Sequence, residues 1–193
     1  LRKQEGLGAL ALQLAILTAA RTGETLGARW AEFDLTAKVW VIPQERMKAG
    51  EQHRVPLSPQ ALAVLETLKA HSSGKGWVFP GLGTKKHLSG MAMLKTLERM
   101  KRRGAVTTHG FRSSFRDWCA EQTQFPREVC EAALAHKTAD KVEAAYMRSD
   151  LFERRRKLMD AWSAYCDRPA AESADVVPMT AAKRKRAGQG GRA

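Results

Sequence analysis

The stretch "KVWVIPQERMKAGEQHRVPLS", residues 38–58, decides the fold class because it is the clearest β-rich part of the chain. Its two flanks, 38–43 and 52–58, carry Val, Ile and Trp, which favour strands. The link between them is polar, and its Gly50 suits a turn. We therefore predict a β-hairpin with an exposed basic turn that carries Lys48.

Outward from this hairpin, apolar residues recur mostly at helical spacing. Residues 5–20 predict a mostly buried helix, and Thr22 is the predicted N-cap of the next helix, with Glu24 in its first turn. Ser58 and Pro59 suit the N-cap and the first position of a third helix. Three more helices are predicted at 89–103, 109–122 and 126–136, a loop with a short strand at 74–83, and segments 141–147 and 151–166 close the fold. The expected class is α+β, mainly α-helical with a small antiparallel sheet.

The charge of the chain favours a polyanionic partner. Its formal net charge is +13 at pH 7 and its pI is about 10.1. Residues 167–193 carry six Lys/Arg and three Asp/Glu, so +10 of the net charge lies on residues 1–166. The basic character therefore belongs to the folded part as well as to the tail. A soluble basic protein without a nucleic-acid role is the alternative that charge alone leaves open.

Cysteine usage and hydropathy exclude several other classes. The three cysteines, Cys119, Cys130 and Cys166, form no C-x-x-C pair, which argues against a disulfide framework and for a reducing compartment. Cys and His are too scattered for a zinc site, so no metal is expected. The longest apolar run is too short to span a bilayer, and no signal peptide is recognisable.

The chain divides into two parts by composition. Residues 1–166 have the periodicity of one domain, whereas residues 167–193 lack periodicity and predict a disordered basic tail. The "KRKR" run (183–186) suits either a nuclear address or nonspecific contact with DNA. Because the first residue is Leu, we expect a fragment of a longer protein.

A few polar residues are not explained by helix or sheet formation. Arg21 follows an apolar helix, and Lys48 lies on the hairpin turn. His109 and Arg112 are three residues apart at a helix start and share a face. His136 ends a helix and is followed ten residues later by Tyr146, one of only two tyrosines. Taken singly, each has an ordinary structural explanation, such as a helix cap, a solvated charge or a core aromatic.

Taken together and in this order, these residues resemble the catalytic domain of the tyrosine recombinases, the phage integrase family. The resemblance covers about residues 5–165. Its last two segments look most like the integrases of prophages and genomic islands. The matching segments are "ARTGE" (20–24), the Lys48 hairpin, "HGFR" (109–112), "LAHK" (134–137) and "AAYMRSDLFERRRKLMDAW" (144–162).

The resemblance implies that six residues surround one scissile phosphate: Arg21, Lys48, His109, Arg112, His136 and Tyr146. Tyr146 would be the nucleophile that forms a 3′-phosphotyrosine, and Tyr165 would not. Two guanidiniums can offset the charge that grows on the phosphate oxygens. Lys48 resembles the family's general acid, His109 suits proton transfer with the Tyr oxygen, and His136 suits a hydrogen bond to phosphate. Glu24 resembles the acidic residue that supports Arg21.

The implied function is site-specific DNA recombination without a cofactor, because the phosphotyrosine keeps the free energy of the phosphodiester. A type IB topoisomerase-like enzyme, a DNA-binding relative without catalysis and a plain basic interaction protein remain as alternatives. The expected partner is double-stranded DNA at attachment sites. We expect a DNA-dependent homotetramer of the full-length protein, whose N-terminal DNA-binding domains would precede this chain, a monomeric fragment, no membrane association and a cytoplasmic location.

Overall fold

The computed structural model describes residues 1–83, 86–136 and 150–169, and within them the chain is mainly helical. Short 3-10 turns lie at Trp30–Glu32 and Gln44–Arg46. The strands are β1 (Phe33–Asp34), β2 (Val39–Ile42) and β3 (His53–Pro56). The helices are α1 (Leu7–Thr18), α2 (Thr22–Leu26), α3 (Pro59–Lys69), α4 (Met91–Arg99), α5 (Gly110–Gln122), α6 (Arg127–Ala133) and α7 (Phe152–Asp167).

The predicted hairpin is confirmed. Strands β2 and β3 pair antiparallel, with Trp40 opposite Val55, and Gly50 has the positive φ of 68° that its place in the connection requires. The sheet has a third strand, β1, which the sequence analysis missed because two residues are too short for a periodic signal.

Two details of the sequence prediction are wrong. The N-cap of α2 is Arg21 and not Thr22, because the Glu24 carboxylate accepts the backbone N–H of Arg21 (2.8 Å). The segment 74–83 forms only isolated bridges, at Trp77 and Pro80, instead of a short strand. By contrast, the Ser58 cap is confirmed: its hydroxyl accepts the N–H of Ala61 at 3.3 Å.

The described residues pack around two hydrophobic cores. The first core joins α1, α3, α4 and the sheet, and Leu12, Trp40 and Phe79 in it have no solvent exposure. The second core joins α5, α6 and α7 around Phe115 and Trp162. No helix among the described residues is long and apolar enough to cross a membrane.

Helix α7 docks on its own chain. The Trp162 indole N–H donates to the Ile16 carbonyl of α1 (2.8 Å), and the Ser163 hydroxyl bonds the Gln60 side chain on α3 (2.7 Å). The buried Arg155 donates to the carbonyl of Arg54 on β3 (2.5 Å). This helix therefore closes the fold against both cores. The predicted segment 141–147 and the predicted tail beyond residue 169 lie outside the described residues.

Candidate active site

Arg112 joins the ends of two helices. It sits in the first turn of α5 and is 7% exposed. Its Nη1 donates to the carbonyl of Ala19 at the end of α1 (2.6 Å), and its Nη2 donates to the carbonyl of Leu134 at the end of α6. Helix ends leave carbonyls without partners and carry partial negative charge, so a guanidinium is well suited to join them.

The electrostatics of Arg112 place a second cation beside it. Its pKa is lowered from 12.5 to about 10, first by burial and then by the nearby Arg21, while Glu24 and Glu131 act in the opposite direction. Arg112 is therefore still cationic at neutral pH. The two predicted arginines thus lie close enough for the charge of Arg21 to lower the pKa of Arg112.

Arg21 is held by Glu24, as the sequence analysis expected of this pair. Its Nη1 lies 2.7 Å from Glu24 Oε1, and the other carboxylate oxygen accepts the Arg21 backbone N–H. The Glu24 side chain is 6% exposed and that of Arg21 is 27% exposed. The carboxylate is therefore buried behind the guanidinium, which keeps an open side towards solvent.

Lys48 is not in contact with these residues. It is exposed on the turn between β2 and β3, and within the described part of the chain it makes no hydrogen bond or ion pair. The base of its turn is nevertheless fixed near the site. Arg46 forms an ion pair with Glu32 and donates to the backbone carbonyl of Glu24.

His109 is the N-cap residue of α5, one turn before Arg112, and its side chain is exposed without capping the helix. Its neighbour Thr108 lies 3.4 Å, Oγ1 to Oγ1, from Thr22, the residue after Arg21. The start of α5 is thereby held against α2, on the side of the molecule where Arg21 is exposed.

His136 follows α6 through a tight helix end. Ala135 is left-handed (φ 47°), the His136 N–H donates to the Glu131 carbonyl (3.0 Å), and the Ala135 N–H donates to the Ala132 carbonyl (3.1 Å). This pair of bonds is a Schellman motif. Leu134 belongs to the same helix end, and its carbonyl accepts a hydrogen bond from Arg112. His136 therefore lies two residues after a bonding partner of that guanidinium.

Only one of the two tyrosines, Tyr165, lies within the described residues. Tyr146, the predicted nucleophile, lies outside the described residues. Tyr165 packs in α7 against Trp118 and Trp162, with ring centroids 5.5 and 5.6 Å away, and Arg168 lies over it. Its aromatic partners give Tyr165 a structural role in the second core.

Sequence reasoning missed two residues around the site, Arg46 and His53. The pKa of His53 is lowered to about 4, first by burial and then by Arg155, and its ring lies close enough to Glu24 and Arg112 to be influenced by both. Both residues lie in the predicted hairpin, where the sequence was interpreted only as strand and turn. A histidine in a β-rich run is the one signal that could have attracted attention.

The described residues contain no group of three or more His, Cys, Asp or Glu that could hold a metal ion. What they do offer is a candidate anion site: the guanidiniums of Arg21 and Arg112 lie near each other, and the buried Glu24 carboxylate holds Arg21. Guanidiniums in this arrangement bind the non-bridging oxygens of a phosphodiester.

Comparison with known proteins finds similar integrases of prophages and phages. The chain is 38% identical over 163 residues to the prophage integrase IntA of Escherichia coli strain K12, covering 84% of this chain and 39% of that protein. It is 34% identical over 174 residues to the integrase of Enterobacteria phage P4, covering 82% of this chain and 40% of that protein. The chain thus spans about two fifths of the length of these relatives.

The fold has a counterpart among solved structures. An integrase from mycobacterium phage Brujita superposes with a TM-score of 0.64 at 18% identity, covering 88% of this chain and 56% of that chain. The model of the phage integrase family matches residues 4–152, well over half of the chain. The chain therefore belongs to the phage integrase family, and its fold is that of a tyrosine recombinase catalytic domain.

Proposed function

We propose that this chain is the catalytic part of a site-specific DNA recombinase that cleaves and rejoins DNA strands to integrate or excise a mobile element. The observation that carries the proposal is that Arg21 and Arg112 lie near each other. The Glu24 carboxylate holds Arg21, and a carbonyl at the end of α1 holds Arg112. The similarity to integrases favours recombination over the topoisomerase-like alternative.

The phosphate-binding step belongs to the two arginines. A guanidinium has five N–H groups, and two N–H groups of Arg112 are used on the Ala19 and Leu134 carbonyls. The remaining donors of Arg112 and the exposed edge of Arg21 bind the non-bridging oxygens. Their positive charge offsets the negative charge that grows on these oxygens in the transition state.

The covalent step belongs to Tyr146. Its phenol oxygen attacks phosphorus, the bond from phosphorus to the 5′-oxygen breaks, and a 3′-phosphotyrosine forms. A phenol with a pKa of about 10 needs a proton acceptor at neutral pH, and His109 takes that proton. Lys48 donates a proton to the 5′-oxygen as it leaves, and the exposed turn of the hairpin presents it to the phosphate. Attack by another 5′-hydroxyl reverses the step and joins the new strands.

The proposal needs no cofactor and no metal. Because the phosphodiester bond energy is kept in the phosphotyrosine, no nucleotide is consumed. The charge on the phosphate is met by guanidiniums, so we expect cleavage to proceed in EDTA.

Double-stranded DNA at attachment sites is the proposed partner, and the bacterial cytoplasm is the proposed location. We expect a homotetramer to assemble only on DNA and only in the full-length protein, with this chain alone monomeric. Sedimentation of the chain without DNA tests that expectation, and a stable tetramer there would contradict it.

Covalent capture tests the proposed chemistry. The protein is mixed with nicked duplexes that carry its attachment site, in EDTA, and stopped with SDS. Tyr146→Phe and Tyr165→Phe are run alongside. We expect a protein–DNA adduct with the wild type and with Tyr165→Phe, mapped by peptide mass to Tyr146, and no adduct with Tyr146→Phe.

An adduct at Tyr165 would overturn the assignment of the nucleophile. An adduct that requires a divalent metal would overturn the metal-free mechanism. Absence of any adduct from the full-length protein on its own attachment site would leave a non-catalytic DNA-binding protein as the better description.

A further inference from the structure

Glu131, in the last turn of α6, makes an unusual double contact with His136. Its backbone carbonyl accepts the His136 N–H at 3.0 Å, and its carboxylate Oε2 lies 2.6 Å from His136 Nδ1. One residue therefore fixes both the main chain and the ring of the histidine that follows the helix. The His136 side chain remains 39% exposed, so its other ring edge is open.

The contact determines where the ring carries its proton. Burial alone would raise the pKa of Glu131, but hydrogen bonds from His136 and then from Arg116 lower it below its usual value. The carboxylate is thus ionised at neutral pH and can only accept. Nδ1 of His136 must then carry the proton in this contact, which leaves Nε2 as the nitrogen available to a ligand.

The negative charge of Glu131 is offset by two further arginines, Arg116 and Arg127. Arg116, one turn after Arg112 on α5, lies 3.2 Å from its Oε1, and Arg127 lies 4.0 Å from the same oxygen. A carboxylate can therefore sit beside a phosphate site while its charge is shared with three cationic or donor groups. This arrangement suits a supporting role and does not suit direct contact with phosphate.

We propose that Glu131 is a positioning residue that sets the tautomer and orientation of His136, so that Nε2 faces the phosphate oxygen. The inference rests on the proposed function for the identity of the ligand, but the Glu131–His136 pairing is independent of it. No role was assigned to Glu131 by the residue pattern, which identified Glu24 as the supporting acid.

The pairing is tested in the protein without DNA by long-range ¹H–¹⁵N NMR of ¹⁵N-histidine, with His136→Ala used to assign the signals. We expect Nδ1 of His136 to be protonated in the wild type and in Glu128→Gln, a matched change on the same helix. Glu131→Gln keeps an accepting oxygen and should retain this tautomer in part. Glu131→Ala should shift the ring towards the Nε2–H tautomer, and an unchanged tautomer there would overturn the proposal.

The consequence for chemistry is tested by a double-mutant cycle on the rate of covalent adduct formation. Because Glu131 acts through His136, Glu131→Ala should slow the reaction about tenfold or more in the wild type and have no further effect in His136→Ala. Equal losses in both backgrounds would overturn the positioning role. Arg116→Ala, which leaves the Glu131–His136 bond in place, should cost less than Glu131→Ala.

The two measurements separate the two proposals. If the wild type forms no adduct on any substrate, the proposed function fails while the NMR result still decides whether Glu131 sets the ring of His136. Thermal unfolding of each variant shows whether the fold is retained, and Glu131→Leu, which also removes the accepting oxygen, supplies the test if the alanine variant does not fold.

Discussion

Single side chains in this molecule hold the candidate site together by bonding to more than one element. Glu24 binds both the side chain and the backbone of Arg21, and its own carbonyl accepts from Arg46. These bonds join α2 to the connection that carries Lys48. A substitution at Glu24 should therefore disturb Arg21, which its carboxylate binds, and leave the backbone bond from Arg46 in place.

His53 provides a prediction about pH at the residue scale. Its folded-state pKa of about 4 lies below the ordinary 6.5, chiefly because the ring is buried and secondly because Arg155 is near. Between these values the unfolded chain binds a proton that the folded chain does not. The contribution of His53 to the free energy of unfolding should then be fully present above pH 6.5. It should fall, by as much as about 3 kcal/mol, as the pH drops to 4.

Urea unfolding between pH 7 and pH 4 measures this contribution. His53→Gln should remove that part of the pH dependence whatever it does to stability at pH 7, and His71→Gln, at an exposed histidine, should leave it in place. An identical pH dependence in wild type and His53→Gln would show that the ring protonates as easily in the folded protein as in the unfolded one.

The sequence, through its family resemblance, could nominate the candidate site residues and the support Glu24, but not the other residues that hold the site. Arg21, Arg112 and His136 are recognisable because guanidiniums and imidazoles stand at fixed positions next to helix ends. Glu131 and Arg46 are not recognisable, because each acts on a residue or carbonyl that becomes its neighbour only through a helix end or a crossing of the chain. Supports of this kind depend on the tertiary structure.

At the scale of elements, the ends of the helices position the candidate site residues. Both α1 and α6 are followed by an alanine with positive φ, Ala19 and Ala135, and the segments that start there carry Arg21 and His136. The left-handed conformation costs an alanine about 1 kcal/mol relative to glycine. Both turns are held in place by Arg112, which bonds their carbonyls.

Ala135→Gly should therefore stabilise the protein by about 0.5 to 1 kcal/mol, because glycine adopts this φ without the penalty from Cβ. The midpoint of urea unfolding measures the change. Ala132→Gly, placed one turn earlier inside α6, is the control and should destabilise by a similar amount. A loss of stability in both variants would mean that the packing of the Ala135 methyl group outweighs its backbone strain.

The hairpin and the Ser58-capped helix were predictable because their signals are local. The N-cap of α2 was not, because Arg21 takes that position through the Glu24 side chain. The docking of α7 on its own chain was also beyond the sequence, since its apolar face fits a neighbouring copy equally well. In the structure, the bonds of Trp162, Ser163 and Arg155 to α1, α3 and β3 hold this helix on its own chain.

On the scale of the whole molecule, two cores and a large positive charge define what the protein can bind. Arg112 bonds Ala19 and Leu134, which both belong to the second core, so the packing of that core fixes its guanidinium. The charge of +13 acts over longer distances and favours a polyanion before any specific contact forms.

This charge gives a prediction for binding of nonspecific duplex DNA. Replacing the four basic residues of the "KRKR" run (183–186) by Gln should weaken binding and reduce the slope of log K against log salt by as much as about 3 to 4, because fewer counterions are released. Fluorescence anisotropy of labelled duplex DNA, between about 50 and 200 mM salt, measures this slope. An unchanged slope would show that the run does not touch DNA.

The bonds of Arg112 to two helix ends also affect how inactive relatives of such a protein should be judged. A descendant that lost recombinase activity would still need this guanidinium to join α1 to α6, since its loss would leave two buried carbonyls without partners. Selection for folding alone would then preserve Arg112 long after catalysis had gone. Its presence is a weaker marker of a working enzyme than the presence of Lys48, which is exposed and supports nothing else among the described residues.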